Sequence, residues 1–245
     1  MKIRFKSIIL AAGLGTRLMP YTKSTPKCLM KVGSKPILGY WIDHLYFLGC
    51  EKVIVNTHYH SEMVDQYLAN LHYKNMSIET FHEKKLLGTA KTLISNVNNL
   101  KGGEILLMHV DNYSKVNLGD LLNAHQNREK DTLLTMLTFN SKNPSQCGIV
   151  EKNKNDVMTS FHEKVINPPS QCANGAIYIL SEEFIRWLIK NKSNAIDFSN
   201  DVLPSMNGLV QTWHTELPFI DIGTPETLFE AQNLAANYLH NGGNQ

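Results

Sequence analysis

Strand-like and helix-like stretches alternate through the first half of this chain, and that alternation limits the fold more than any other feature of the sequence. Short apolar runs at residues 7–12, 52–56, 77–81 and 105–110 are separated by stretches with a helical apolar period. Strands that return through helices pair in parallel, so the pattern predicts an α/β fold around a mostly parallel sheet. The first helix should begin at Pro36, since proline suits the first helical position, with Ile37, Leu38, Trp41, Ile42, Leu45 and Leu48 on one face before Gly49 ends it. A second, from about residue 61, should bury Met63, Val64, Tyr67, Leu68 and Leu71. A third follows Gly88, and a fourth spans residues 118–126.

After about residue 132 the pattern shifts to short strands at 132–139, 148–151, 157–161 and 176–180, which should furnish a lid and pocket walls. A helix capped by Ser181 and a terminal helix opened by Thr224-Pro225 return the chain to the core. At 245 residues the length suits one large α/β domain. Internal repeats are absent, including the hexapeptide kind that would append a β-helix.

Composition excludes several classes. The formal charge of +2 is spread without a basic block or acidic tail, which argues against nucleic acid or a membrane surface as partner and for a small, locally bound anion. The four cysteines, Cys28, Cys50, Cys147 and Cys172, form no CxxC pair and read as reduced, structural thiols. The basic and then apolar start of the chain ends at Gly13 and leads into a polar loop, which fits a buried strand better than a signal peptide and suggests a cytoplasmic protein. The histidines show no zinc spacing on a helix face.

The loop that leaves the first strand is the most distinctive stretch: IILAAGLGTRLMPYTKSTPKCLMKVGSKPI, residues 8–37. Glycine-rich backbone at the carboxyl end of a parallel strand is where such sheets bind ligands. Gly13, Gly15 and Thr16 suggest exposed amides around an anion, and Arg17 and Lys27 would add two positive charges. The Walker pattern fails because GK[ST] is missing, and the dinucleotide fingerprint fails because Leu18 stands where a small residue is needed. From the residues alone, a phosphate cradle and an ordinary turn both remain open.

Leu10, Ala11, Ala12, Gly13, Leu14, Gly15, Thr16, Arg17 and Leu18, followed by Pro20, Thr22, Pro26-Lys27 and Lys35-Pro36, resemble the signature of the sugar-1-phosphate nucleotidylyltransferases. The likeness continues through Leu87-Gly88-Thr89-Ala90, Asp111-Asn112, Gly148-Ile149-Val150, Glu163-Lys164, Asn174-Gly175 and Asp221-Ile222-Gly223, and is nearest to compact bacterial mannose-1-phosphate guanylyltransferase-like enzymes. It implies a Rossmann-like, mostly parallel mixed sheet with helices on both faces and a smaller sugar-binding lobe. The nucleotide-binding part would occupy about residues 1–131 and the sugar-binding part about 132–245. It also implies a reaction in which a sugar-1-phosphate attacks a nucleoside triphosphate and expels pyrophosphate, with Mg2+ as cofactor; a homodimer is expected only because symmetric dimers are the commonest assemblies in general.

Residue by residue, the resemblance makes Arg17, Lys27 and Asp111 catalytic and assigns Asp111 and Asp221 to the metal. The nucleotide would meet Leu10, Ala11, Ala12, Gly13, Gly15, Thr16, Arg17, Glu83, Gly88 and Thr89. The sugar phosphate would meet Gly148, Glu163, Lys164, Asn174 and Gly175. Taken alone, the aspartates could equally cap turns, and Glu163-Lys164 could be a solvated charge pair. The family usually has a glycine just before the first metal aspartate, where this chain has His109-Val110; His109 could touch ligand or be satisfied locally.

Nucleotide choice rests on Glu83, where thymidylyl and uridylyl relatives commonly carry glutamine. An ionised carboxylate only accepts, which suits the two adjacent donors of guanine and favours GTP with mannose-1-phosphate or a manno-heptose-1-phosphate. Glu83 could also be a solvated member of the Glu83-Lys84-Lys85 cluster. UTP or CTP with glucose-1-phosphate, N-acetylmuramate phosphate or phosphocholine is the alternative. A catalytically silent regulatory subunit of the same fold is another, against which stand Arg17, Lys27, Asp111 and Asp221.

Overall fold

A computed structural model describes residues 4–241. Strand β1 (Phe5–Leu10) leads through the signature loop, where β2 (Lys31–Val32) and β3 (Lys35–Pro36) form a small ribbon, into helix α1 (Ile37–Leu48). Then come β4 (Lys52–Thr57), α2 (Ser61–Ala69), β5 (Ser77–His82), α3 (Thr89–Asn96), β6 (Glu104–His109), β7 (Asn112–Ser114) and α4 (Leu118–Gln126). The second half contributes β8 (Leu134–Asn140), β9 (Gly148–Lys152), β10 (Met158–Glu163) and β11 (Cys172–Leu180). It ends with α5 (Glu182–Lys192), β12 (Val210–Thr215), β13 (Phe219–Asp221) and α6 (Pro225–Asn241).

Strands β10-β9-β11-β6-β1-β4-β5 lie side by side in that order, and β8 joins β11 while pairing with β12. β6, β1, β4 and β5 run parallel, whereas β11 lies antiparallel against β6. Alternation along the central strands feeds two cores. Phe5 and Ile9 of β1 pack on one face with Leu106 and Met108 of β6, beneath α1, α4 and α6. Ile8 and Leu10 pack on the other with Ile105 and Leu107, beneath α3 and α5. A strand buried on both faces has no polar side to show, which is why these runs read as continuously apolar.

Several local expectations shift. Helix α1 starts at Ile37, because Pro36 keeps an extended ψ of 142° and closes the β2–β3 ribbon as the helix N-cap. Its end is as expected: Gly49 adopts a left-handed φ of 83° and its N–H bonds the last turn. Met63 is exposed, and Leu71 lies beyond the end of the nine-residue α2, half-buried. β11 begins at Cys172, well before residue 176, and carries a register shift between Asn174 and Tyr178 that obscures its alternation. The strands after residue 132 do more than wall a pocket: β8, β9 and β11 belong to the same sheet as β1. All four cysteines are free thiols; burial pushes Cys28 and Cys50 up to about 12. Among the described residues no helix is long and apolar enough to cross a membrane.

One buried side chain ties the helical layer to the strand beyond β6. Trp41 of α1 is fully buried and its indole N–H donates to the Asn112 carbonyl at 2.7 Å. The Asn112 amide in turn donates to the Gly175 carbonyl of β11 at 3.0 Å, and Asn112 faces Asp221 in the β7–β13 pair. Trp41→Phe keeps an aromatic ring but orphans that carbonyl, so unfolding free energy from urea titration should fall by about 1–3 kcal/mol. An unchanged midpoint would show that the bond contributes nothing.

Candidate active site

The parallel strands β1, β4 and β6 all end at one edge of the sheet, and a cavity of about 250 Å³ opens there. Its floor is the main chain from Leu10 to Gly13, with Lys27 beside it. Glu83, Leu86, Gly88 and Thr89 form one wall, and His109, Val110 and Asp111 the other. Gly13 has open space on the side where a Cβ would stand.

The loop that supplies this floor folds as three single turns, Thr16–Leu18, Tyr21–Lys23 and Lys27–Leu29. Gly15 makes the first possible with a φ of 63°; a Cβ there would come within 2.7 Å of Thr22. Thr22 fastens the turn by donating its hydroxyl to the Gly15 carbonyl at 2.8 Å. Leu18, the residue that breaks the dinucleotide pattern, is fully buried and anchors the loop. Gly15, Thr16 and Arg17 therefore shape and flank the cavity without lining it.

Lys27 is the electrostatic centre. Its side chain is buried, and the ammonium donates to Asp111 Oδ2 at 2.5 Å and to Asp221 Oδ1 at 3.3 Å. Arg17 reaches the second Asp221 oxygen only at 3.5 Å, with its side chain 69% exposed. Burial opposes ionisation of Asp111, but the Lys27 ammonium, then His109, then the Lys27 hydrogen bond outweigh it and hold the carboxyl below the usual range. Two carboxylates aimed at one cation are a donor set that suits a divalent metal with oxygen ligands. No group of three or more His, Cys, Asp or Glu gathers among the described residues, so a metal here would complete its shell from ligand phosphates and water.

Glu83 is buried, not a solvated member of a charge cluster, while Lys84 and Lys85 beside it are exposed. Its Oε1 accepts from Asn56 Nδ2 at 2.9 Å and from the Thr92 hydroxyl, and its Oε2 accepts from the Leu87 N–H at 2.9 Å. These donors occupy three of the four acceptor positions of the carboxylate. One position is left, not the two that the reading of guanine through this side chain requires.

The residues assigned to the sugar phosphate form a second group. Gly148 and Glu163 face each other across the β9–β10 pair, with a Glu163 oxygen 2.6 Å from where a Gly148 Cβ would stand. Lys164 follows with a φ of 48° and its ammonium 3.4 Å from Glu163 Oε1. Asn174 is partly engaged by its own strand, donating to the Tyr178 hydroxyl at 2.6 Å and accepting from the Ala176 N–H at 2.9 Å. Gly175 connects this group to Asp111 through Asn112.

Asn56, Thr92, Leu86 and Val110 line the cavity although the sequence pattern did not select them. A signal existed for Asn56: a primary amide inside the apolar run VIVNT must find partners when buried.

The family model described as Nucleotidyl transferase matches residues 6–237. The chain belongs to that family. It is 28% identical over 232 residues to the UTP–glucose-1-phosphate uridylyltransferase AglF of Haloferax volcanii, covering 93% of this chain and 95% of that protein. It is 26% identical to the D-glycero-alpha-D-manno-heptose 1-phosphate guanylyltransferase of Campylobacter jejuni, covering 91% and 97%. It is also 24% identical to the mannose-1-phosphate guanylyltransferase of Mycobacterium tuberculosis, where 90% of this chain spans 61% of the relative. Among solved structures, HddC from Yersinia pseudotuberculosis complexed with GMP-PN superposes with a TM-score of 0.76 at 22% identity, covering 94% of this chain and 99% of that one. These are members of the nucleotide-diphospho-sugar transferase fold, as the chain is.

The Lys27 arrangement carries a pH signature. A depressed carboxyl stabilises the fold above its unfolded pKa, near 3.9, and that contribution is lost as pH falls through the lower folded value. Lys27→Met removes the largest influence that favours the charged form of Asp111 and leaves His109 to oppose burial, so ionising the carboxyl stabilises the fold less than in the parent. The loss in melting temperature relative to the parent should therefore be larger at pH 7 than at pH 4; equal losses would detach Lys27 from Asp111.

Proposed function

We propose that the chain catalyses nucleotidyl transfer from GTP to mannose-1-phosphate or a manno-heptose-1-phosphate, giving an NDP-sugar and pyrophosphate. The observation that carries the reaction class is the buried Lys27 ammonium between Asp111 and Asp221, beside a cavity floored by the Leu10–Gly13 main chain. An oxygen of the sugar phosphate attacks the α-phosphorus, the bond from that phosphorus to the bridging oxygen breaks, and the electron pair leaves with pyrophosphate. Little covalent work falls to the protein in such a transfer; position and charge dominate.

In this reading Lys27 and Arg17 neutralise the triphosphate and the charge that grows on the leaving pyrophosphate. Asp111 and Asp221 would hold Mg2+, which would supply charge neutralisation at the reacting phosphates. The nucleoside lies between Leu10–Gly13 and the Glu83–Thr89 wall. Gly148, Glu163, Lys164, Asn174 and Gly175 face the sugar phosphate. The guanylyltransferase names of the Campylobacter and Mycobacterium relatives and the GMP-PN complex of HddC support GTP. UTP with glucose-1-phosphate is the second reading, favoured by the match to AglF along nearly its whole length.

The test is pyrophosphate release measured for GTP, UTP, CTP and ATP against mannose-, heptose- and glucose-1-phosphates with Mg2+. GTP with a manno-configured phosphate should exceed the other pairs by about 100-fold, a scale within reach of hydrogen-bonded discrimination; a larger rate with UTP and glucose-1-phosphate would replace this substrate assignment. Lys27→Met should lower turnover of the best pair by about 100-fold or more. Asp111→Asn should demand more Mg2+ than the parent, since an amide lacks the lost charge; coincident Mg2+ titrations would exclude Asp111 as a ligand.

A further inference from the structure

Two loops border the cavity: the signature loop beyond β1, which floors it, and the stretch from Glu83 to Gly88 beyond β5, which walls it. They are not neighbours in the sheet, because β4 separates β1 from β5. One β4 side chain touches both. Asn56 is 4% exposed, and its Oδ1 accepts from the Ala11 N–H at 2.5 Å and the Ala12 N–H at 3.2 Å. Its Nδ2 donates to Glu83 Oε1 at 2.9 Å, and Glu83 Oε2 accepts from Leu87 N–H. Ala11, Asn56, Glu83 and Leu87 thus form a continuous chain of hydrogen bonds across the mouth of the sheet.

We infer that Asn56 is a positioning residue, which sets the spacing between the signature loop and the Glu83–Gly88 wall, and that Glu83 acts through this brace instead of reading the base with both carboxylate oxygens. The inference deepens the functional reading and rests on it in one respect, that the nucleoside occupies this cavity. The direction of the bonds explains the residue type. Two amide donors on one side require an acceptor and the carboxylate on the other requires a donor, and the side-chain amide of asparagine supplies both at this reach. Ala11 and Ala12 then contribute shape and approach, since Asn56 already takes their N–H groups. Glu83 belongs to a buried network in which every member must be satisfied, so loss of one link displaces the others.

The polarity of the brace can be reversed, which separates positioning from bulk stability. Asn56→Asp keeps the acceptor for Ala11 and Ala12 but sets a second carboxylate against Glu83. Adding Glu83→Gln restores a donor to the pair: the introduced amide nitrogen can donate to the new carboxylate and to the Thr92 hydroxyl, while its oxygen accepts from Leu87 N–H. With the nucleoside triphosphate that the parent uses best, Asn56→Asp should raise the nucleotide KM so that kcat/KM falls by about 100-fold, the scale of a misplacement near 1 Å. The sugar-phosphate KM should stay within about twofold. The double variant should recover to within about tenfold of the parent, with unchanged nucleotide preference.

Hydrogen exchange gives a readout that needs no substrate. Leu87 N–H should exchange at least about tenfold faster in Asn56→Asp, although Asn56 does not touch it, and return toward parental protection in the double variant. If Asn56→Asp does not fold, Thr92→Val, which removes one donor to Glu83, and the double variant carry the same comparison. A parental nucleotide KM in Asn56→Asp, a double variant no better than the single, or Leu87 protection indifferent to Asn56 would overturn the inference. A parent inactive with every triphosphate, but showing the expected exchange pattern, would instead overturn the functional reading while leaving the brace intact.

Discussion

A buried ammonium between two carboxylates organises the active edge of this protein. Lys27 comes from the signature loop, Asp111 follows β6, and Asp221 ends β13, so three distant stretches meet at one charge. Lys27 and Asp111 form the buried part of this cluster, and removing either leaves the other without its close partner, which costs more than breaking an exposed ion pair. The rest of the local structure serves that meeting. Trp41 and Asn112 fix the strand after Asp111, Asn112 pairs with Asp221, and buried Leu18 and the Gly15 turn hold the loop that delivers Lys27.

The sheet supplies the rigidity that this convergence needs. β1 lies between β6 and β4, with apolar side chains packed on both faces, so the positions just beyond its end inherit little freedom. The main chain of Leu10–Gly13 can then act as a floor. The second half contributes through β11, which runs antiparallel beside β6 and brings Gly175 into contact with Asn112. The β9–β10 pair with Glu163 is attached to β11 through Ala173 and Ile149.

Much of this was legible in the sequence, for identifiable reasons. Helix α4 falls at Leu118–Gln126 as its period indicated, and Ser181 caps α5 with its side chain. The signature loop stood out because polar, glycine-rich residues interrupt an apolar strand at its end, whereas the two aspartates, each just after an apolar run, were singled out by the family resemblance. Elsewhere one-dimensional reasoning failed where two structures compete for a residue. Pro36 is acceptable both at the first helical position and as the last residue of a ribbon, and the ribbon claims it. Met63 is expected on the buried helix face, but the buried face of α2 runs through Val64 and Leu68 and leaves Met63 exposed. Glu83 lies beside two exposed lysines, and only the fold reveals that Asn56, Thr92 and Leu87 surround it. For Asn56 the apolar run around it signals that its amide needs partners, but only the fold shows that they come from two loops.

The turn after Gly15 has a further consequence for how this molecule can change over generations. In folds where the first loop opens a helix at once, the peptide dipoles of that helix draw the anion, and no single side-chain replacement can erase them. Here the loop enters the short Thr16–Leu18 turn, and at the start of α3 the Ala90 and Lys91 amides are taken by the Ile196 carbonyl. In the proposed reading, attraction for phosphate is therefore vested in side chains, above all Lys27. A duplicated gene could surrender the chemistry by one codon change while retaining the sheet and its cavity, and its descendant would be free to specialise in sensing what its ancestor transformed.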